Sequence, residues 1–155
     1  MTRSITDQAH DFYDAVPYEV PTPDTSLYAR LDTTARLYPD RVALDYFGAT
    51  TTYAQVRDQV LRAARVLHEA GVGPGDTVAI ALPNCPQAFV AFYACMRIGA
   101  VAAQHNPLAP AAKAAGQLER HGGRVAIVWE KCVDAFPLDR LDTVFTVDIS
   151  RTMPA

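Results

Sequence analysis

Three short apolar runs, over residues 77–82, 100–104 and 124–129, are separated by stretches of helical periodicity, with Gly or Pro at the joins. Runs of this length without polar alternation suit strands buried on both faces, and such strands occur in parallel sheets. Parallel neighbours need a crossover, usually a helix. The alternation therefore predicts an α/β domain: a mainly parallel sheet with helices on both faces. A last strand is expected over residues 143–149.

The intervening elements follow from punctuation. Leu27, Leu31 and Ala35 lie four apart and predict a helix over 27–37, which Tyr38-Pro39-Asp40 stops. Residues 42–47 and 50–53 read as a β-hairpin, with Gly48-Ala49 as its turn. Thr52 and Gln55 have the spacing of a capping box, opening a helix over 53–70 whose stripe is Val56, Val60, Ala63 and Leu67. Gly71 ends it, where a left-handed residue costs little. A helix over 85–98 is apolar on nearly every side and should be buried on more than one. A further helix is expected near 111–120 and a helical turn near 131–136. The first 25 residues, with Pro17, Pro21 and Pro23, read as an extended arm, leaving 26–155 as the α/β portion.

Composition narrows the function classes. A chain of 155 residues fits one domain. Fourteen Lys and Arg against 17 Asp and Glu leave a net charge of −3, with no basic cluster for nucleic acid. The three cysteines, Cys85, Cys95 and Cys132, form no CxxC and have no His at zinc-ligand spacing, which suits a reducing cytoplasmic setting. The N-terminus lacks the apolar core of a signal peptide. Residues 88–103 are apolar, but Arg97 and Gly99 interrupt them and the stretch is short of the roughly 20 residues a spanning helix needs. No transmembrane span is expected.

Ligands of open parallel sheets sit at the carboxyl ends of the strands. The residues there are Asn84, His105, Asn106, Glu130 and Lys131, which are the crevice candidates if the strands are neighbours. Polar loops at strand ends also occur where nothing binds. Phosphate is a poor fit, because Pro83 and Pro86 flank one loop and Pro107 and Pro110 the other, removing amide donors. Neither GxGxxG nor GxxxxGK[ST] occurs. Cys85, at a helix start with His105 as its base, is a candidate nucleophile; a buried structural thiol is the competing reading. His10 and His121 read as solvated, and His68 lies near the polar side of its helix.

The phrases YPDRVAL (38–44), GVGPGDTVAI (71–80), LPNCP (82–86), RIGAV (97–101) and NPL (106–108) occur in that order around a Tyr-led helix. Together they resemble the opening of the adenylate-forming, AMP-dependent acyl-CoA synthetase family. The wording HNPL, with RVAIVWEK (124–131), is most similar to the bacterial fatty-acyl-CoA ligase branch. The resemblance covers roughly residues 25–149. It implies the first part of the family's large N-terminal domain. It also implies a parent reaction in which a carboxylic acid and ATP–magnesium form an acyl-adenylate, and the acyl group passes to coenzyme A.

The Ser/Thr/Gly-rich phosphate loop of that family has no counterpart here, so no catalytic, cofactor-binding or metal residue is carried over, and ATP, Mg and CoA are assigned to the full-length parent. After Leu108 this chain runs APAAKAA where relatives start a polar, acidic helix. The expected identity is an N-terminal fragment of a long-chain fatty-acid–CoA ligase, inactive alone. Its expected partner is the remainder of the ligase, or a second copy through an uncovered apolar face, with fatty acid as the parent's substrate. The expected location is cytoplasmic, with a peripheral membrane association open to the parent enzyme. The alternatives are a stand-alone, non-catalytic binding or dimerisation module with a closed surface, and a small enzyme using Cys85 and His105.

Overall fold

The computed structural model describes residues 24–152, so the arm expected over 1–25 and His10 lie almost wholly or wholly outside the described residues. Helix α1 (Leu27–Leu37) is followed by the hairpin β1 (Val42–Tyr46) and β2 (Ala49–Thr52), then by helix α2 (Tyr53–Glu69). Next come β3 (Thr77–Ala81), α3 (Pro86–Ile98), β4 (Val101–Gln104), α4 (Ala111–His121) and β5 (Val125–Trp129). Two short 3₁₀ turns, Glu130–Ala135 and Leu138–Arg140, lead to β6 (Thr143–Val147) and a last turn, Ile149–Thr152.

Strands β3 to β6 form one parallel sheet in the order β4-β3-β5-β6. The chain leaves β3 in one direction to make β4 and returns across it to make β5. β3 is consequently central, and Val78, Ala79, Ile80 and Ala81 are wholly buried. The period-2 alternation of a strand sorts its side chains between two layers. Val78, Ile80, Val125, Ile127, Phe145 and Val147 face α2 and α3. Ala79, Ala81, Ala126 and Val128 face α4 and Phe136. The small side chains on that second face leave room for Ala114 and Leu118 of α4.

A third apolar cluster holds α1 and the hairpin against the outer side of α2 and α3, with Leu31, Val56 and Val60 at its centre and Phe89, Val90 and Tyr93 around it. α3 is thus enclosed on two sides, as its composition requires. Two sequence stripes shift slightly. Ala64 rather than Ala63 completes the buried face of α2, and Leu27 is 51% exposed while Leu31 and Ala35 are buried.

Capping explains where the helices begin and end. Thr52 Oγ1 accepts from the Gln55 amide at 3.3 Å, and Gln55 Oε1 accepts from the Thr52 amide at 2.9 Å. Gly71, with φ +86°, receives the chain after α2. The hairpin turn is Phe47-Gly48 rather than Gly48-Ala49: both residues have positive φ, and Tyr46 pairs with Ala49. Asp45 Oδ1 accepts the Gly48 amide at 2.9 Å, which supports a tight two-residue turn.

Candidate functional site

The carboxyl ends of β4, β3 and β5 are adjacent, as the crevice reading supposed, yet their side chains do not converge. An open hollow of about 600 Å³ lies between the hairpin, the start of α3 and the end of β4. Its apolar wall is Leu82, Phe89 and Phe92, and its polar groups are Asp45, Asn84 and Gln104. Asn84 is the one crevice candidate among its lining residues. Gln104 was missed. It lies two residues beyond Ala102 on the face turned toward α3, so counting β4 in twos would have found it.

His105, one residue further along, falls on the opposite face. It is buried beneath α4, 5% exposed, and its Nε2 lies 2.9 Å from Nε2 of His121. The two ring planes are nearly perpendicular with centres 5.1 Å apart, and the Phe136 ring is 5.8 Å from that of His105. His121 is therefore a half-buried partner rather than a solvated surface residue. Burial, reinforced at His105 by the neighbouring imidazole, pushes both histidines below their ordinary range.

The other candidates are held locally. Asn106 Oδ1 accepts the Leu108 amide at 2.9 Å in an Asx turn, which fixes the start of the loop to α4. Glu130 is exposed, and the Lys131 ammonium lies 5.9 Å from the centre of the Trp129 ring. Cys85 caps α3 and is 8% exposed; burial pushes its thiol up, against the opposing pull of the Ala88 and Gln87 amides. A nucleophile needs the reverse shift. With His105 on the other side of the sheet, a Cys85–His105 pair is not formed.

The hollow suits an uncharged or amphipathic group resting on aromatic rings, with side-chain amides at the rim. None of its lining residues is basic, and Pro86 occupies the first turn of α3, where amide donors would otherwise point outward. These residues do not fit ATP or magnesium. Among the described residues, no three His, Cys, Asp or Glu side chains converge as a metal site, and no helix is long and apolar enough to cross a membrane.

The sequence model of the family described as AMP-binding enzyme matches residues 31–153. The chain belongs to that AMP-binding family. Among curated relatives, this AMP-binding chain is 33% identical over 98 residues to a long-chain-fatty-acid–CoA ligase of Bacillus subtilis, covering 63% of this chain and 18% of the ligase. It is 49% identical over 69 residues to an acetyl-coenzyme A synthetase of Emericella nidulans, covering 41% of this chain and 10% of that protein. Its fold matches the N-terminal subdomain of Klebsiella oxytoca NpsA, solved in complex with anthranilyl-AMSN, with a TM-score of 0.70 and 26% identity over 84% of this chain and 34% of that one. The AMP-binding chain spans about a fifth of the length of the fatty-acid ligase it matches. The adenylate-forming acyl-CoA synthetase family and the α/β fold read from the sequence are both shown.

Proposed function

We propose that this chain is the opening α/β portion of a long-chain fatty-acid–CoA ligase. The parent enzyme joins a fatty acid to ATP as an acyl-adenylate, releasing pyrophosphate, and then passes the acyl group to coenzyme A. The carrying observation is the family match over residues 31–153, combined with the 98-residue alignment to a fatty-acid ligase. The acetyl-coenzyme A synthetase is more identical but over a shorter stretch of 69 residues. In this reading ATP, magnesium and coenzyme A are held by the rest of the parent, and the chain alone has no ligase activity. The free cysteines favour a cytoplasmic location.

A second feature supports an incomplete unit. α2 and α3 leave an apolar groove of about 250 Å³ over β5 and β6, lined by Ala63, Val66, Val90, Ile127, Phe145 and Val147. Val66 at its edge is 45% exposed. A groove of this kind favours a covering partner over a module with a closed surface. The remainder of the ligase is that partner, and a second copy takes its place when the chain is alone.

ATP–pyrophosphate exchange and calorimetric titration with ATP–magnesium test the first point. The chain alone should give neither exchange nor heat, and specific binding would overturn the assignment. Co-expression with the remaining part of the Bacillus subtilis ligase should restore exchange that depends on long fatty acids; dependence on acetate instead would remove the substrate assignment. Light scattering tests the groove, since a strictly monomeric species at high concentration contradicts an uncovered face.

A further inference from the structure

The His105–His121 contact sits where α4 meets the end of β4, and its hydrogen bonds leave one consistent proton arrangement. The Gly123 amide donates to His121 Nδ1 at 3.0 Å, so that nitrogen carries no proton. Neutral His121 must then be protonated on Nε2, which donates to His105 Nε2 at 2.9 Å. His105 in turn carries its proton on Nδ1, a buried atom with no hydrogen-bond partner. The nitrogens are 2.9 Å apart and the ring centres 5.1 Å apart, so the nitrogens point at each other. Two bonds of about 2.0–2.1 Å to a zinc ion do not fit into that space. The contact is a hydrogen bond between two neutral imidazoles.

We propose that this pair is a proton-operated latch that holds the C-terminal end of α4 on the sheet while both rings are neutral and releases it on acidification. A proton added to His105 Nε2 faces the N–H of His121 and removes the acceptor. A proton added to His121 Nδ1 displaces the Gly123 amide. Each protonation therefore breaks one of the two bonds that close the corner.

The surroundings provide no counter-charge. From α4, Arg120 adds a repelling positive charge, while Glu119 is 3.8 Å from Arg140 and Lys113 is exposed at the other end of the helix. β3 presents Ala79 and Ala81, and the loop after β4 presents the neutral Asn106. The 3₁₀ turn presents Phe136, while its Glu130, Lys131 and Asp134 are exposed. At the start of β5, Arg124 is engaged by Asp142 at 2.6 Å. Among the described residues no carboxylate pairs with either ring.

The direction follows from linkage. An unfolded histidine titrates near about 6.5, and both rings lie below their ordinary value in the fold. The open form then binds protons that the closed form does not, and the latch is complete above about pH 6.5. It weakens as pH falls toward the folded values, by about tenfold per pH unit for each proton.

Imidazole NMR and amide exchange from pH 8 to 5 test the latch. His105 and His121 should titrate below the ordinary histidine value of about 6.5, and Gly123 should lose protection about tenfold per pH unit after correction for the intrinsic rate. His121→Phe should abolish that extra pH dependence, whereas His105→Phe should keep the part that protonation of His121 Nδ1 carries. Should these variants fail to fold, the wild-type titration and exchange decide the matter. Titration of both rings at or above about 6.5, or Gly123 protection that does not change with pH, would overturn the proposal.

Discussion

The guanidinium of Arg57 on α2 donates Nε–H to the Asp32 carboxylate on α1 at 2.6 Å, tying together two helices separated by the hairpin. Arg36 approaches the other carboxylate oxygen at 2.8 Å. The Arg57 hydrogen bond, aided by the two positive charges, holds Asp32 below its usual range. Asp32→Asn should cost about 1 kcal/mol at pH 7, because the pair is only partly buried and solvent still screens it. Asp32 binds protons more readily unfolded than folded, so its contribution is present above about pH 4 and lost as pH falls through the folded value. Urea unfolding at several pH values should show wild type and variant converging in acid. Arg36→Ala, removing a side chain 69% exposed, should change stability by less than about 0.5 kcal/mol.

Thr52 closes a reciprocal capping box with Gln55. Thr52→Ala should destabilise the chain by about 1 kcal/mol, and Thr52→Ser should restore most of that loss. Denaturant midpoints of the three proteins check the order. Equal midpoints for Thr52→Ala and wild type would mean that α2 is held by packing alone.

Gly123 marks a close approach of backbone to backbone. A Cβ there would lie 2.7 Å from the Thr77 carbonyl oxygen and 3.0 Å from the His121 ring. Gly123→Ala should therefore cost about 1–3 kcal/mol through forced displacement. Gly73→Ala is the contrast, because its Cβ would meet Asp76 Oδ2 at an ordinary 3.6 Å. Its effect should stay within about 1 kcal/mol.

Thiol labelling should rank the cysteines by access. Cys95 is fully buried and burial pushes its thiol up to about 11, and Cys85 is shifted in the same direction. Cys132 is half-buried on a 3₁₀ turn. Iodoacetamide at pH 8 should modify Cys132 first and leave Cys95 unmodified until the chain unfolds. Mass spectrometry of the labelled peptides reads this directly, and early modification of Cys85 would revive it as a reactive thiol.

The fold was legible where local chemistry and long-range packing agree. Thr52, Gln55, Gly71, Gly99 and Gly122 mark helix ends through caps and left-handed backbone that any tertiary context preserves. The hairpin turn slipped by one residue because Phe47, an unusual left-handed residue, is held by the Asp45–Gly48 bond rather than by its own preference. The site was less legible, for a geometric reason. Residues adjacent in sequence at the end of a strand point to opposite layers, so Gln104 reaches the hollow while His105 goes beneath α4. The His105–His121 contact is separated by a whole helix, and no periodicity in the sequence encodes it.

The start of the central βαβ unit is fastened at the end away from the hollow. The Gly75 amide donates to the Gly99 carbonyl at 2.9 Å, and the Val101 amide donates to the Asp76 carbonyl at 2.8 Å. The alignment of β3 with β4 is thereby set by the two turns where these strands begin. The loops where they finish, carrying Asn84 and Asn106, can change length or composition without sliding one strand along the other. Substitutions and insertions can accumulate at that end of the sheet while the strands beneath keep their register.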